Sequence, residues 1–177
     1  MAQPRRTDTA DPRASRLAAL HVLYEADVRL ERPADVLDRY LTDASASERA
    51  RRREVDPDPE LAAAVLDAFA VSLVQGVIDH QADIDARIAR LSRGWRLERM
   101  PAIDRNVLRL AIRELLAEPT PMPIVLDEAV RMASELSTDS SGRFVNGVLA
   151  AVVRELDRGP LPEERDVEVP APPEDTD

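Results

Sequence analysis

Apolar residues recur at helical spacing along most of the chain, and no segment shows the polar–apolar alternation of a strand. After a polar start, Leu17, Leu20, Tyr24 and Val28 mark one face of a helix. Asp11-Pro12 opens it, an N-cap acid followed by the residue pre-set for the first helical position. Pro33 ends that helix and starts a second, with Val36, Leu37, Tyr40 and Leu41 inward. "SASERARRREVDPDP" reads as a connection carrying a basic run. Asp58-Pro59 opens a third helix through Leu61, Val65, Phe69, Leu73, Val77 and Ile78, and a fourth lies around Ile84, Ile88 and Leu91. "SRGWRLERMP" breaks the pattern and holds the only Trp. Pro101 opens a helix with Ile103, Val107, Leu108, Ala111, Ile112 and Leu115; "EPTPMP" stops it, because prolines remove backbone donors. Pro123 opens the next, with Leu126, Ala129, Val130, Ala133 and Leu136. The expected fold is all-α, about seven helices and no sheet, with short connections that favour antiparallel neighbours.

The stretch "TDSSGRFVNGVLAAV", Thr138 to Val152, tests that reading. Asn146-Gly147 between apolar residues is a strong hairpin signal. A hairpin requires alternation on both sides, and "RFV" and "VLAAVV" do not alternate. Val145, Val148, Leu149, Val152, Val153 and Leu156 instead follow the helical repeat. Gly147 then costs about 1 kcal/mol relative to Ala, which points to close approach of another helix or of a ligand. Asp139 or Ser140 is the expected N-cap, so Ser140, Ser141, Arg143 and Phe144 surround a helix N-terminus. Free N–H groups and the helix dipole there favour phosphate; Arg143 adds charge and an exposed Phe144 a stacking face. On these residues alone an ordinary cap, a solvated arginine and a core phenylalanine are the commoner combination.

Composition narrows the chemistry. Aromatics are 3% of 177 residues, so the core is built from Leu, Val, Ile and Ala. The absence of Cys removes disulfides, thiolate zinc sites and Cys nucleophiles. No apolar run approaches the ~20 residues of a membrane span, and the polar, basic N-terminus carries no secretory pattern; a cytoplasmic protein is expected. The net charge of −10 is unevenly spread: Gly159 to Asp177 holds seven acids and one Arg, a charge of −6, which leaves −4 for the other 158 residues. With its five prolines this tail, 159–177, is expected to be disordered, as are the basic residues 1–10, leaving 11–158 as the helical domain. All 24 basic residues are Arg, the residue that forks onto phosphates and stacks on bases. His21 with Glu25, and Asp79-His80, lack the paired Glu-x-x-His arrangement of a bundle metal site; in "VIDH" Val77 stands where the Glu belongs. No P-loop, dinucleotide glycine pattern or G-x-S-x-G is present. The expectation is no metal, no cofactor and no catalysis.

Three segments together resemble the bacterial transcription antitermination factor NusB family: "RASRLAALHVLYEADVR", "ERMPAIDRNVLRLAIRELL" and "PIVLDEAVRMASELSTDSSGRFVNGVL". Order and spacing agree across roughly residues 12–156, and "RGWRLERMPAIDR" is similar to the actinobacterial branch. The resemblance implies two packed helical subdomains. It implies pairing with ribosomal protein NusE, binding of boxA RNA in ribosomal RNA leaders, and a part in an antitermination complex on RNA polymerase. Carried across, the RNA-contacting residues fall on Arg5, Arg6, Arg13 and Arg16 and on Ser140, Ser141, Arg143 and Phe144. The NusE-facing ones fall on Tyr24, Glu25, Asp104 and Arg105. Two departures stand out: Asp11, Pro12, Ala14 and Ser15 dilute the arginine segment, and many relatives carry an acid where Ser140 stands. The alternative reading is a protein-only helical adaptor, or a homodimer, with weak RNA affinity. A NusB-like domain of a ribosomal RNA cytosine methyltransferase is a further one, disfavoured because no methyltransferase segment follows the helices.

Overall fold

In the computed structural model the described residues are 11–51, 66–92, 95–117 and 119–158, with side chains from 44 to 51 and at 158 left aside. They form six helices, α1 (Pro12–Arg29), α2 (Pro33–Arg51), α3 (Ala68–Leu91), α4 (Ala102–Ala117), α5 (Met122–Leu136) and α6 (Ser141–Arg158), plus a 3₁₀ turn at Leu97–Arg99. No strand occurs among the described residues. The segments 1–10 and 159–177, expected to be disordered, lie outside the described residues, as do Arg5 and Arg6 and the expected helix start at Asp58-Pro59.

The local signals explain most boundaries. Asp11 Oδ1 accepts from Arg13 N–H at 3.0 Å and Pro12 is the first helical residue, so α1 starts where the sequence said. It stops at Leu30, which takes the left-handed conformation (φ 56°) and returns its N–H to the Ala26 carbonyl. Two expectations fail. The basic run is not a loop throughout, because α2 continues to Arg51. The third and fourth helices are one: Asp67 caps Ala70 N–H at 2.7 Å and α3 runs 24 residues, with only His80 (φ −124°, ψ 18°) out of helical geometry. No proline or glycine at 79–83 forces a stop there, and His80 Nδ1 lies 3.0 Å from the Gly76 carbonyl, bonding across the irregular turn.

The helices pack as two groups of three. α1, α2 and α3 touch one another, as do α4, α5 and α6, and the groups meet where α4 lies on α1 and α3 and α6 lies on α3. α4 is buried on nearly all sides, with Val107, Leu108, Leu110, Ala111 and Ile112 in the core. A helix buried all round must pair its polar residues, since an unpaired buried charge costs several kcal/mol. Arg109 does so bidentately with Asp85 of α3 at 2.7 and 2.8 Å, donates to Asn106 Oδ1 at 3.0 Å and lies 3.5 Å from the Asp27 carboxylate. Arg105 and Asn106 both donate to Asp27 of α1 at 2.8 Å.

The inward face of α1 is not the one expected. Ala19, Leu20, Val22, Leu23 and Ala26 are buried, while Leu17 is half-buried and Tyr24 and Val28 are exposed. α1 meets three helices at once, and its small residues permit that approach; Leu20 goes inward with them, while Leu17 and Tyr24 on the same edge stay at the surface. On α2, Val36 and Leu37 are buried and Tyr40 half-buried, but Leu41 is exposed.

Candidate functional site

The start of α6 is built by a short hydroxyl and carboxylate chain. The first α-helical bond runs from Phe144 N–H to the Ser140 carbonyl at 3.0 Å, which makes Ser140 the N-cap. Ser141 is buried: its Oγ donates to Asp104 Oδ2 at 2.8 Å and accepts from Thr138 N–H at 3.1 Å. The Thr138 hydroxyl, 2.8 Å away, then donates to Ser141 Oγ, whose own proton is already committed. Asp104 sits in the first turn of α4, where the positive end of the helix dipole favours its charge. Its Oδ1 is buried without a hydrogen-bond partner among the described residues. This chain fixes the start of α6 against the start of α4 and leaves Ser140 and Arg143 facing outward.

Phe144 is half-buried, its ring 5.8 Å from that of Trp95 and tilted by 48°. Trp95 is 55% exposed. The turn carrying it is pinned by Ser92, whose Oγ donates to the Trp95 carbonyl at 2.9 Å. Among the described residues Arg143 has no carboxylate within 4.0 Å, so its charge is open to solvent. A groove of about 400 Å³ continues along α6 past Arg143, Phe144 and Gly147 to Arg154.

The arginines of α1 behave differently. Arg16 is 4% exposed and its guanidinium grips Glu114 of α4, Nε to Oε2 at 2.9 Å and Nη2 to Oε1 at 2.5 Å. The Glu114 hydrogen bond holds Arg16 above its ordinary pKa against the opposing effect of burial. Phe69 lies under the guanidinium at 5.5 Å. Arg13 spans two carboxylates of α5, Glu128 at 3.0 Å and Glu135 at 2.6 Å. Of the residues expected at an RNA surface, the structure therefore brings Ser140, Arg143 and Phe144 together. It turns Arg16 and Ser141 into the interior, and Arg13 towards α5.

A second surface lies between α1, α4 and α5. Leu17, Leu20, His21 and Tyr24 of α1, Ile103 of α4 and Leu136 of α5 line a groove of about 500 Å³. Tyr24 and Leu136 are exposed there. Tyr24 was expected at a partner surface; Glu25, Asp104 and Arg105 were too, and the structure places them elsewhere. Glu25 accepts from Tyr40 Oη at 2.7 Å and from Arg39 at 3.1 Å, and the tyrosine hydrogen bond holds its carboxyl below the ordinary range. Arg105 holds Asp27 and the Leu97 carbonyl, and Asp104 is interior. Leu17, Leu20, Ile103 and Leu136 escaped the sequence reading because their helical spacing marked them as core.

At Gly147 the helix half of the expectation fails: among the described residues nothing lies within 4 Å of a Cβ built there, so none of the described helices approaches it closely. The close approach falls at Gly142, where a Cβ would collide with Ser134 Oγ of α5.

These features define an all-helical protein with two separate surfaces, one basic and aromatic at the start of α6, one apolar between α1, α4 and α5. Residues 13–154 match the family model described as the NusB family. The transcription antitermination protein NusB of Solibacter usitatus is 39% identical over 147 residues, covering 83% of this chain and 91% of that one. The corresponding protein of Acidothermus cellulolyticus is 45% identical over 139 residues, covering 78% and 83%. Among solved structures, NusB of T. maritima superposes with a TM-score of 0.62 at 29% identity, over 88% of this chain and 94% of that one. The chain belongs to the NusB family. No described helix is long and apolar enough to cross a membrane.

Proposed function

We infer that this chain is a cytoplasmic, non-enzymatic transcription antitermination factor. It binds boxA-type RNA of ribosomal RNA leaders together with ribosomal protein NusE and joins the antitermination complex on RNA polymerase. Family membership supplies the class of function. The observation that carries the RNA reading is the outer face of the α6 start, where Ser140, Phe144 and an Arg143 with no carboxylate partner among the described residues stand at the positive end of a helix. The groove lined by Leu20, Tyr24, Ile103 and Leu136 is the proposed seat of NusE, an apolar surface that α1 leaves uncovered.

The test is RNA binding by gel shift and anisotropy, with boxA-type RNA and a scrambled control, each with and without NusE. Affinity is expected to favour boxA and to fall steeply with salt, since each neutralised phosphate adds about 0.7 to the log–log slope for single strands. Arg143→Ala is expected to lower affinity and to reduce that slope by about 0.7. Tyr24→Asp is expected to abolish the gain in affinity that NusE brings, leaving binding by the chain alone unchanged. Association with NusE but equal, salt-insensitive binding of both RNAs would identify a protein-only adaptor instead.

A further inference from the structure

Most described arginines already hold a carboxylate of the fold, among them Arg13, Arg16, Arg39, Arg105 and Arg109. The groove along α6 is different. Its charged lining residues are Arg143 at one end and Arg154 at the other, and among the described residues neither has a carboxylate partner. Between them the α6 lining is apolar, through Phe144, Val148, Ala150 and Ala151, and the groove holds about 400 Å³. The two arginines are eleven residues apart on one helix, about 16 Å along its axis.

The chain carries its own polyanion. Gly159 directly follows Arg158, the last residue of α6. Within 159–177, which lies outside the described residues, Glu163, Glu164, Asp166 and Glu168 fall in a six-residue run. Arg165 is the one opposing charge there, so the run carries −3. An extended chain advances about 3.3 Å per residue, so the five steps from Glu163 to Glu168 reach about 16 Å, the spacing of the two arginines. The reach back along α6 is also sufficient. Arg143 lies fifteen residues before Arg158, about 22 Å along the axis. The ten residues from Arg158 to Glu168 extend to about 33 Å. Single exposed ion pairs are weak, but a segment joined to the helix end acts at an effective concentration of millimolar order. Such a contact forms within one molecule and yields to a longer polyanion.

We propose that the acidic run Glu163–Glu168 of this chain docks in the α6 groove and competes with any polyanion for its arginines. Glu163 and Glu164 meet Arg154, Glu168 meets Arg143, and Val167 covers the apolar middle. The contact itself does not depend on the RNA reading above; its effect on RNA affinity rests on that reading.

The chain has no Cys and one Trp. The Trp95 ring lies 5.8 Å from that of Phe144, at the Arg143 end of the groove. A nitroxide on full-length Val169→Cys, compared with its reduced diamagnetic form, therefore reports arrival of the run at that end. Trp95 fluorescence is expected to be quenched at low salt, independently of protein concentration, and to recover at high salt. Arg143→Gln with Arg154→Gln, both at exposed positions, is expected to abolish the quench at an unchanged melting temperature. The second measurement needs no label: affinity for boxA-type RNA with NusE present. Neutralising the run (Glu163→Gln, Glu164→Gln, Asp166→Asn, Glu168→Gln) is expected to tighten binding about three- to tenfold at low salt. That gain is expected to disappear at high salt, and also when Arg143→Gln and Arg154→Gln are present. Absence of a salt-sensitive quench, or a quench that survives loss of both arginines, overturns the docking. A quench that grows with protein concentration places the run on a second copy and overturns it too. An equal gain with and without the two arginines identifies general repulsion by the tail, and that also overturns it. The expected quench, with no RNA binding by either the wild type or the neutralised chain, upholds the docking and overturns the RNA reading.

Discussion

The arginines of α1 and Arg143 of α6 are the same residue type at the two positions where RNA contact was expected, and the fold treats them oppositely. Arg13 and Arg16 each meet carboxylates of a distant helix. Arg143 and Arg154 meet none among the described residues. A phosphate competing for Arg16 has to displace a buried, bidentate carboxylate, whereas one approaching Arg143 displaces only water. Charge counted along a sequence therefore overstates what is available to a polyanion; the relevant quantity is charge left after internal pairing.

The contrast can be broken most forcefully at Arg16. Its removal leaves Glu114, 4% exposed, without a partner, and breaking such a pair costs about 3–5 kcal/mol. Arg16→Ala is expected to lose that much stability in urea unfolding, while the protein that remains folded keeps its RNA affinity. Arg16→Ala with Glu114→Leu is expected to recover much of the loss, because no orphaned charge remains. Normal stability with weakened RNA binding would move Arg16 to the surface role and erase the difference between the two helices.

How much of this was legible follows from the range of each interaction. Caps, proline stops and the helical repeat act over a few residues, so α1, α4, α5 and α6 were readable, and so was the helical state of Asn146-Gly147. The continuous α3 was not, because the apolar rows on either side of His80 were read as separate helices with no breaker between them. Arg16 and Glu114 lie 98 residues apart, and nothing local marks either as the other's partner. The same holds for the Asp104–Ser141 bond, 37 residues apart, which drew two expected surface residues inward. At the site, Ser140, Arg143 and Phe144 were legible because they occupy one helix end. Trp95 was visible only as the lone tryptophan of a break; that it stands on Phe144 is a tertiary fact.

Glu25 extends the comparison, since α1 again satisfies an expected surface group internally. Burial and the Glu25 hydrogen bond push Tyr40 up to about 12 from 10.0. The folded form thus favours the protonated phenol, so its contribution to stability is complete below pH 10 and is lost as pH rises towards about 12. Glu25 is shifted the other way, so its contribution holds above the ordinary carboxylate pKa and is lost as pH falls through the lowered folded value. Denaturant midpoints across pH are expected to show both limbs, and Tyr40→Phe is expected to remove the alkaline one and weaken the acid one. An acid limb unchanged in Tyr40→Phe would assign it to the other carboxylates that pair with arginine.

The smallest effect discriminates between the two glycines of α6. Gly142 faces Ser134 of α5, where a methyl group meets the hydroxyl and, at 3.5 Å, the Val130 carbonyl. Gly147 faces open space. Gly147→Ala should therefore act through helix propensity alone and stabilise the fold by about 0.5–1 kcal/mol, whereas Gly142→Ala gains the same propensity and must shift Ser134 to keep it. Thermal melting of the pair separates them: a rise for Gly147→Ala and a smaller rise or a fall for Gly142→Ala. Equal rises would mean that α5 yields freely at Gly142 and that neither glycine marks a close approach. A rise at Gly147 accompanied by weaker single-strand RNA binding would show a position where helix stability and ligand access pull in opposite directions, which is the physical reason for a glycine to stand there.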